Sequence, residues 1–157
     1  MIFVIVGSQK FAFERLIREM DRIAGMGVLH DEVIAQIGVC EYEPQHMKWA
    51  RFMDKEMFDR NIETCDILVT HAGEGSIMTG LLNKKTVIAV PRYEHLGEHV
   101  SDHQLEIARA LERQNCIINV EDITALEGIL THLEDYPLQE YQSGRETILK
   151  TICDFIG

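Results

Sequence analysis

Basic residues are scarce in this chain: 15 Lys plus Arg stand against 26 Asp plus Glu in 157 residues, a formal charge of −11 with His neutral. A surface that acidic repels phosphate backbones, which argues against nucleic acid as a partner. Long apolar runs are missing too. The longest, Met1 to Val6, has six residues, far short of the ~20 that cross a bilayer, and no basic residue precedes it as in a secretory signal. The chain is therefore expected to be soluble and cytosolic. Cysteine is sparse and scattered: Cys40, Cys65, Cys116 and Cys153 form no C-x-x-C pair. Reduced, mostly buried thiols are expected rather than disulfides or a zinc site. Internal repeats, low-complexity stretches and linkers are lacking as well. What remains, 46% apolar and 26% charged residues, is the balance of one ordinary folded domain over 1–157.

What is present is alternation. Ile2-Phe-Val-Ile-Val6 is a β-branched and aromatic run ending at Gly7-Ser8, the pattern of a strand buried on both faces. Apolar residues at helical spacing predict a helix from Phe11 to Ile23, stopped by Gly25 and Gly27. Further along, strands are expected at Val33–Ile37, Ile67–Thr70, Thr86–Val90 and Cys116–Val120. Helices are expected at Lys48–Asn61, Ser76–Asn83, Asp102–Gln114, Ile123–Leu133 and Tyr141–Phe155, with a loop from Pro91 to Val100. Met47, Met53 and Met57 fit packing positions of a helix, and Trp49 is a candidate interface anchor. Strands alternating with helices imply a parallel sheet covered on both faces, hence an α/β, doubly wound, Rossmann-like domain.

Ligands of such sheets bind beyond the carboxyl ends of the strands, near the switch in strand order. Four loops qualify: Gly7–Lys10, Gly38–Gln45, His71–Ser76 and Pro91–Gln104. In His71-Ala-Gly-Glu-Gly-Ser76, Gly73 and Gly75 let the backbone come close to a ligand, and Ser76 adds a hydroxyl at a helix start. Free amides and the positive end of the helix dipole make an anion site suited to a diphosphate. The plainer alternative is a tight turn with Ser76 as its cap. Glu74 would have to point away from a phosphate. Only Gly7 follows the first strand, without G-x-G-x-x-G, which argues against a nicotinamide or flavin site. Gly7-Ser8-Gln9 also lacks the acids of a phosphate-receiver domain. His95, His99 and His103 are four apart, but Pro91 and Gly97 interrupt any helix through His95, so no metal site is expected. Asp102, His103 and Gln104 offer hydrogen bonds to sugar hydroxyls or phosphate; alternatively they are the first turn of a helix capped by Ser101 or Asp102.

Taken together, Val6-Gly-Ser8, Gln36-Ile-Gly38, His71-Ala-Gly-Glu-Gly-Ser76 and Gly97-Glu-His-Val-Ser-Asp-His-Gln104 resemble one family. The chain is similar to the C-terminal, donor-binding domain of family 28 glycosyltransferases. Within that family it is most similar to stand-alone subunits of bacterial capsule and exopolysaccharide synthesis. The cytosolic subunit of the dolichol-linked UDP-N-acetylglucosaminyltransferase is a relative. The similarity runs in order from Met1 to about Gln114.

The resemblance implies the C-terminal half of a GT-B glycosyltransferase, binding a UDP-sugar as substrate with no cofactor and no metal. It implies a heterodimer: a membrane-associated partner subunit supplies the acceptor side for a lipid-linked glycan, and this chain sits peripherally at the inner face of the membrane. His71, Gly73, Glu74, Gly75 and Ser76 would hold the donor diphosphate. His103 and Gln104 would lie near the transferred sugar, and Glu98 and His99 of the same motif would belong to the nucleotide-sugar site. His71 and Gln104 would assist transfer. Gly7 and Ser8 would face the cleft between the halves, and Gln36 and Gly38 would line it. Thr79 stands where related transferases carry a glutamate that binds the ribose hydroxyls, and one hydroxyl cannot take both as a carboxylate does. Thr79 and Glu74 motivate a second expectation, a non-catalytic enhancer of a partner transferase. Sugar-nucleotide epimerisation would need a second domain in the same chain.

Overall fold

The computed structural model describes residues 1–7, 12–98 and 103–139 of the chain. Four apolar runs become its central strands: β1 (Ile2–Ile5), β2 (Val33–Gln36), β4 (Ile67–Thr70) and β5 (Thr86–Ala89). Two short strands flank them, β3 (Lys48–Ala50) and β6 (Ile118–Asn119). All neighbours pair in parallel, in the order β3-β2-β1-β4-β5-β6. The helices are α1 (Glu14–Gly25), α2 (Lys55–Thr64), α3 (Glu74–Leu82), α4 (His103–Arg113) and α5 (Leu126–Thr131). The expected α/β, doubly wound architecture is the one observed.

Both faces of the sheet are buried because successive side chains alternate. Ile2, Val4 and Val6 join Leu16, Ile17, Met20 and Ile23 of α1 and Leu126, Ile129 and Leu130 of α5 on one side. Phe3 and Ile5 turn the other way, onto Ile62 and Phe58 of α2. On that same side α3 and α4 pack Ile77, Leu81, Ile107, Ala108 and Leu111 against Val87 and Ala89. A Cβ on Gly80 would come within 2.6 Å of Val87 Cγ2 and 2.8 Å of Leu68 Cδ2, so α3 lies directly on the sheet there. Among the described residues, no helix is long and apolar enough to cross a membrane.

Three expectations need correction. The helix expected over Lys48–Asn61 is instead the edge strand β3 followed by α2, whose start is set by Asp54: its carboxylate accepts from the Met57 amide at 2.8 Å. Three residues carry no periodicity of their own, and β3 exists because Lys48, Trp49 and Ala50 pair with Ile34, Ala35 and Gln36. Met57, expected to pack, is 48% exposed. The last expected strand shrinks to two residues, and the last expected helix, Tyr141–Phe155, lies outside the described residues. Cys40 and Cys65 are free and buried, and burial pushes both thiols up. Trp49 is held within its own chain, its Nε1 donating to the Pro44 carbonyl at 3.1 Å.

Candidate functional site

The strand order reverses between β1 and β4, and there the chain leaves β1 at Gly7 and β4 at His71. A crevice at such a switch is where open parallel sheets bind ligands. Gly7 has φ +80°, a left-handed conformation that glycine adopts without strain. It also has no room for a side chain: a Cβ would lie 2.8 Å from His71 Nε2. Gly38, at the end of β2, has φ +59°, and a Cβ there would lie 3.3 Å from the Gly7 carbonyl oxygen. Its amide donates to the Arg51 carbonyl at 2.8 Å. Glycines thus bring the end of β2 against the backbone after β1, and the backbone after β1 against the His71 ring after β4.

His71 is buried, with Nδ1 3.2 Å from Thr70 Oγ1. Its ring fills the space that side chains on Gly7 and Gly73 would need; a Cβ on Gly73 would lie 2.3 Å from Nε2. Between them Ala72 is left-handed, at φ +64°, a conformation costing roughly 1 kcal/mol in a residue with a Cβ. This turn swings the chain from β4 into α3 within three residues. Gly73 takes the cap position, with no side chain to bind the first amides. Its carbonyl accepts from the Ile77 amide at 3.0 Å, so the amides of Glu74, Gly75 and Ser76 have no partner within the helix. A cap role for Ser76 is excluded, since it is the third residue of α3. Gly75 is exposed, and a Cβ there meets nothing within 4 Å. The two glycines of the motif therefore serve different ends: Gly73 admits His71, and Gly75 leaves the mouth open.

The other expected residues are placed as follows. Gln36 accepts the Met53 amide on Oε1 at 2.8 Å, fixing the turn after β3. Thr79 donates to the Gly75 carbonyl at 2.8 Å, so its hydroxyl is engaged within α3. Both oxygens of buried Glu98 are taken: Arg15 of α1 donates Nε to Oε2 and Nη2 to Oε1, each at 3.0 Å, and the Tyr93 amide donates to Oε1 at 3.2 Å. Buried Gln104 accepts the Arg92 amide on Oε1 at 3.3 Å. Ser8 and His99 lie outside the described residues, and of His103 only the backbone is described, opening α4. His95 sits in a 3-10 turn, Glu94–Leu96, with its ring 5.4 Å from that of Tyr93.

The loop after β2, also expected to be a candidate, has spent many of its amides. Glu14 takes the amides of Glu41 and Tyr42 at 2.5 and 3.2 Å. Asp21 takes those of Gln45 and His46 at 3.0 and 2.7 Å, and the Tyr42 hydroxyl donates to it as well. Burial alone would raise the Asp21 carboxyl, but these hydrogen bonds prevail and hold it below the ordinary aspartate value.

The profile of the glycosyltransferase family 28 C-terminal domain matches residues 1–156. The chain belongs to that family. Among solved structures, this family 28 domain is similar to ALG13, with 15% identity and a TM-score of 0.64 over 96% of this chain and 94% of that one. It is similar to MurG of Acinetobacter baumannii, with 12% identity and a TM-score of 0.58 over 97% of this chain and 44% of MurG. It is also similar to the kitacinnamycin glycotransferase, with 14% identity and a TM-score of 0.58 over 98% of this chain and 37% of that enzyme. None of the curated proteins matches. At these identities the likeness is one of fold, that of the C-terminal half of a GT-B glycosyltransferase. The domain spans less than half of the latter two enzymes and nearly all of ALG13.

Sequence reasoning missed Arg92 of this family 28 domain, which is fully buried. Its Nη2 donates to the Val6 carbonyl, the group just before Gly7. Burial pushes the guanidinium below its ordinary value, partly offset by Cys40 and Glu98. The available signal was position: an arginine two residues beyond Val90, where a buried strand meets Pro91.

Proposed function

We propose that this domain is the donor-binding half of an inverting glycosyltransferase that transfers a hexose or N-acetylhexosamine from a UDP-sugar. The acceptor is a lipid-linked glycan of capsule or exopolysaccharide synthesis, held by a separate membrane-associated subunit. One observation carries the reading: the uncapped mouth of α3, with exposed Gly75 and wedged His71, at the point where the strand order reverses in a family 28 chain. The amides of Glu74, Gly75 and Ser76 stabilise the UDP leaving group as charge builds on its phosphate, a task preorganised donors perform without reorganising. His71 supports the diphosphate by a hydrogen bond. His103 and Gln104, at the start of α4, orient the sugar for attack from the opposite face. The partner supplies the base that takes the acceptor proton.

Support for a partner comes from the same edge of the sheet. Phe52, 54% exposed, and Val39 stand beside Gly38, an apolar rim next to the crevice.

Calorimetric titration of a UDP-sugar into the chain alone and into its complex tests the reading: binding is expected in at least the complex, and silence in both rejects it. Ser76→Ala and Gln104→Ala should each lower transfer by the complex while circular dichroism stays unchanged. The engaged Thr79 hydroxyl favours a second reading, a non-catalytic enhancer. That reading predicts that the complex transfers sugar normally when Ser76 and Gln104 are both replaced by alanine.

A further inference from the structure

We infer that Arg92 is a positioning residue of the donor site, a buried cation held behind the α3 mouth to attract the diphosphate of the nucleotide. This inference rests on the donor-site reading above. The side chain is fully buried, and while Nη2 donates to the Val6 carbonyl, Nε and Nη1 have no hydrogen-bond partner among the described residues. A guanidinium stays protonated at neutral pH, and leaving such a charge buried and half-bonded is costly. Its neighbours do not neutralise it. Phe13 presents its ring, with the centroid 5.3 Å from Cζ, and Cys40 is a buried thiol whose ionisation burial opposes. Among the described residues, Glu98 is the carboxylate that acts on Arg92, and Arg15 already binds it through two nitrogens. Arg15 also lies over the Phe13 ring, at 5.2 Å. Among the described residues, two guanidiniums thus draw on one carboxylate that Arg15 binds, leaving an excess of positive charge at Arg92 in a chain whose formal charge is −11.

The excess is placed where it would serve an anion. Val6, which accepts from Arg92, precedes Gly7; Gly7 touches the His71 ring; and the ring touches Gly73, the cap of α3. A charge behind this contact, in a medium of low dielectric, adds to the field of the helix terminus without touching the ligand. It also fixes the carbonyl from which the Gly7 turn departs.

The test separates charge from scaffolding. Affinities for UDP and for uridine, which lacks the diphosphate, are measured by calorimetry for the unmodified chain, Arg92→Gln and Arg92→Lys. Glutamine keeps a donor for the Val6 carbonyl and removes the charge. Arg92→Gln should weaken UDP about tenfold while changing uridine less than twofold, and Arg92→Lys should restore most of the preference for UDP. Equal losses for both ligands, or no loss, overturn the inference and leave the donor site standing. Where the chain alone is silent the comparison is made in the complex, and silence there too overturns the donor site, and the inference with it. A second measurement needs no variant: the Arg92 Nε resonance of the ¹⁵N-labelled chain should move on adding UDP and stay in place with uridine. An Nε resonance that responds alike to both ligands rejects the inference.

Discussion

Helices α2 and α3 begin at the same edge of the same sheet, one after β3 and the other after β4, yet their first turns are finished differently. At α2 the chain caps itself, with Asp54 accepting the Met57 amide. The neighbouring loop after β2 follows suit, its amides bound by Glu14 and Asp21 of α1. At α3 the cap position holds a glycine, and the turn before it contains a left-handed alanine and a buried histidine. Ser, Thr, Asp or Asn at a cap stabilises a helix by roughly a few tenths of a kcal/mol relative to glycine, so α3 forgoes only that much and keeps its first amides open. The contrast shows where the fold keeps its hydrogen-bonding capacity for itself and where it leaves donors for something else.

The contrast can be broken at α3 or at α2. The largest effect is expected from Gly80→Ala, whose Cβ would press on Val87 and Leu68. Such overpacking costs ~1–3 kcal/mol and should appear as a lower midpoint of thermal unfolding. Gly73→Ala should displace the His71 ring and weaken UDP at least tenfold, about 1.4 kcal/mol, as read by calorimetry. Asp54→Ala should cost ~1 kcal/mol of stability in denaturant titration and leave nucleotide affinity unchanged, because α2 is not the open mouth. Gly75→Ala should fold as before, since a Cβ there meets nothing, and should weaken UDP by only a few-fold.

The self-satisfied loop after β2 predicts a pH dependence. The Asp21 carboxyl is held below its ordinary value in the folded chain, so the folded state favours its ionised form. That contribution is complete above the unfolded value, about 3.9. It is lost as pH falls through the lower folded value. Thermal stability should therefore drop in this acid range, and Asp21→Asn should flatten the drop while lowering stability at neutral pH. An unchanged acid limb in Asp21→Asn would assign it to other carboxylates.

The central strands were legible because buried parallel strands are written as apolar runs closed by glycine or proline: Ile2–Ile5, Val33–Gln36, Ile67–Thr70 and Thr86–Ala89 all lie within the expected spans. The α3 mouth was legible for a related reason, since two glycines in His71-Ala-Gly-Glu-Gly-Ser76 mark backbone that must come close to something. What each glycine meets was not legible. That Gly73 yields to a histidine while Gly75 faces open space depends on the His71 ring turning back between β1 and α3. The strand β3 was hidden for want of length, because three residues take their conformation from the neighbour they pair with.

Pattern and composition by themselves determined the alternating α/β architecture, the acidic surface and the location of a candidate anion site at one strand-to-helix turn, because periodicity and glycine spacing act over neighbouring residues. Only the tertiary structure decided which charges are spent and which are kept. Glu98 meets Arg15 across 83 positions of sequence, and Arg92 reaches Val6 across 86. Electrostatic pairing depends on distance in space and on desolvation, and neither is written along the chain.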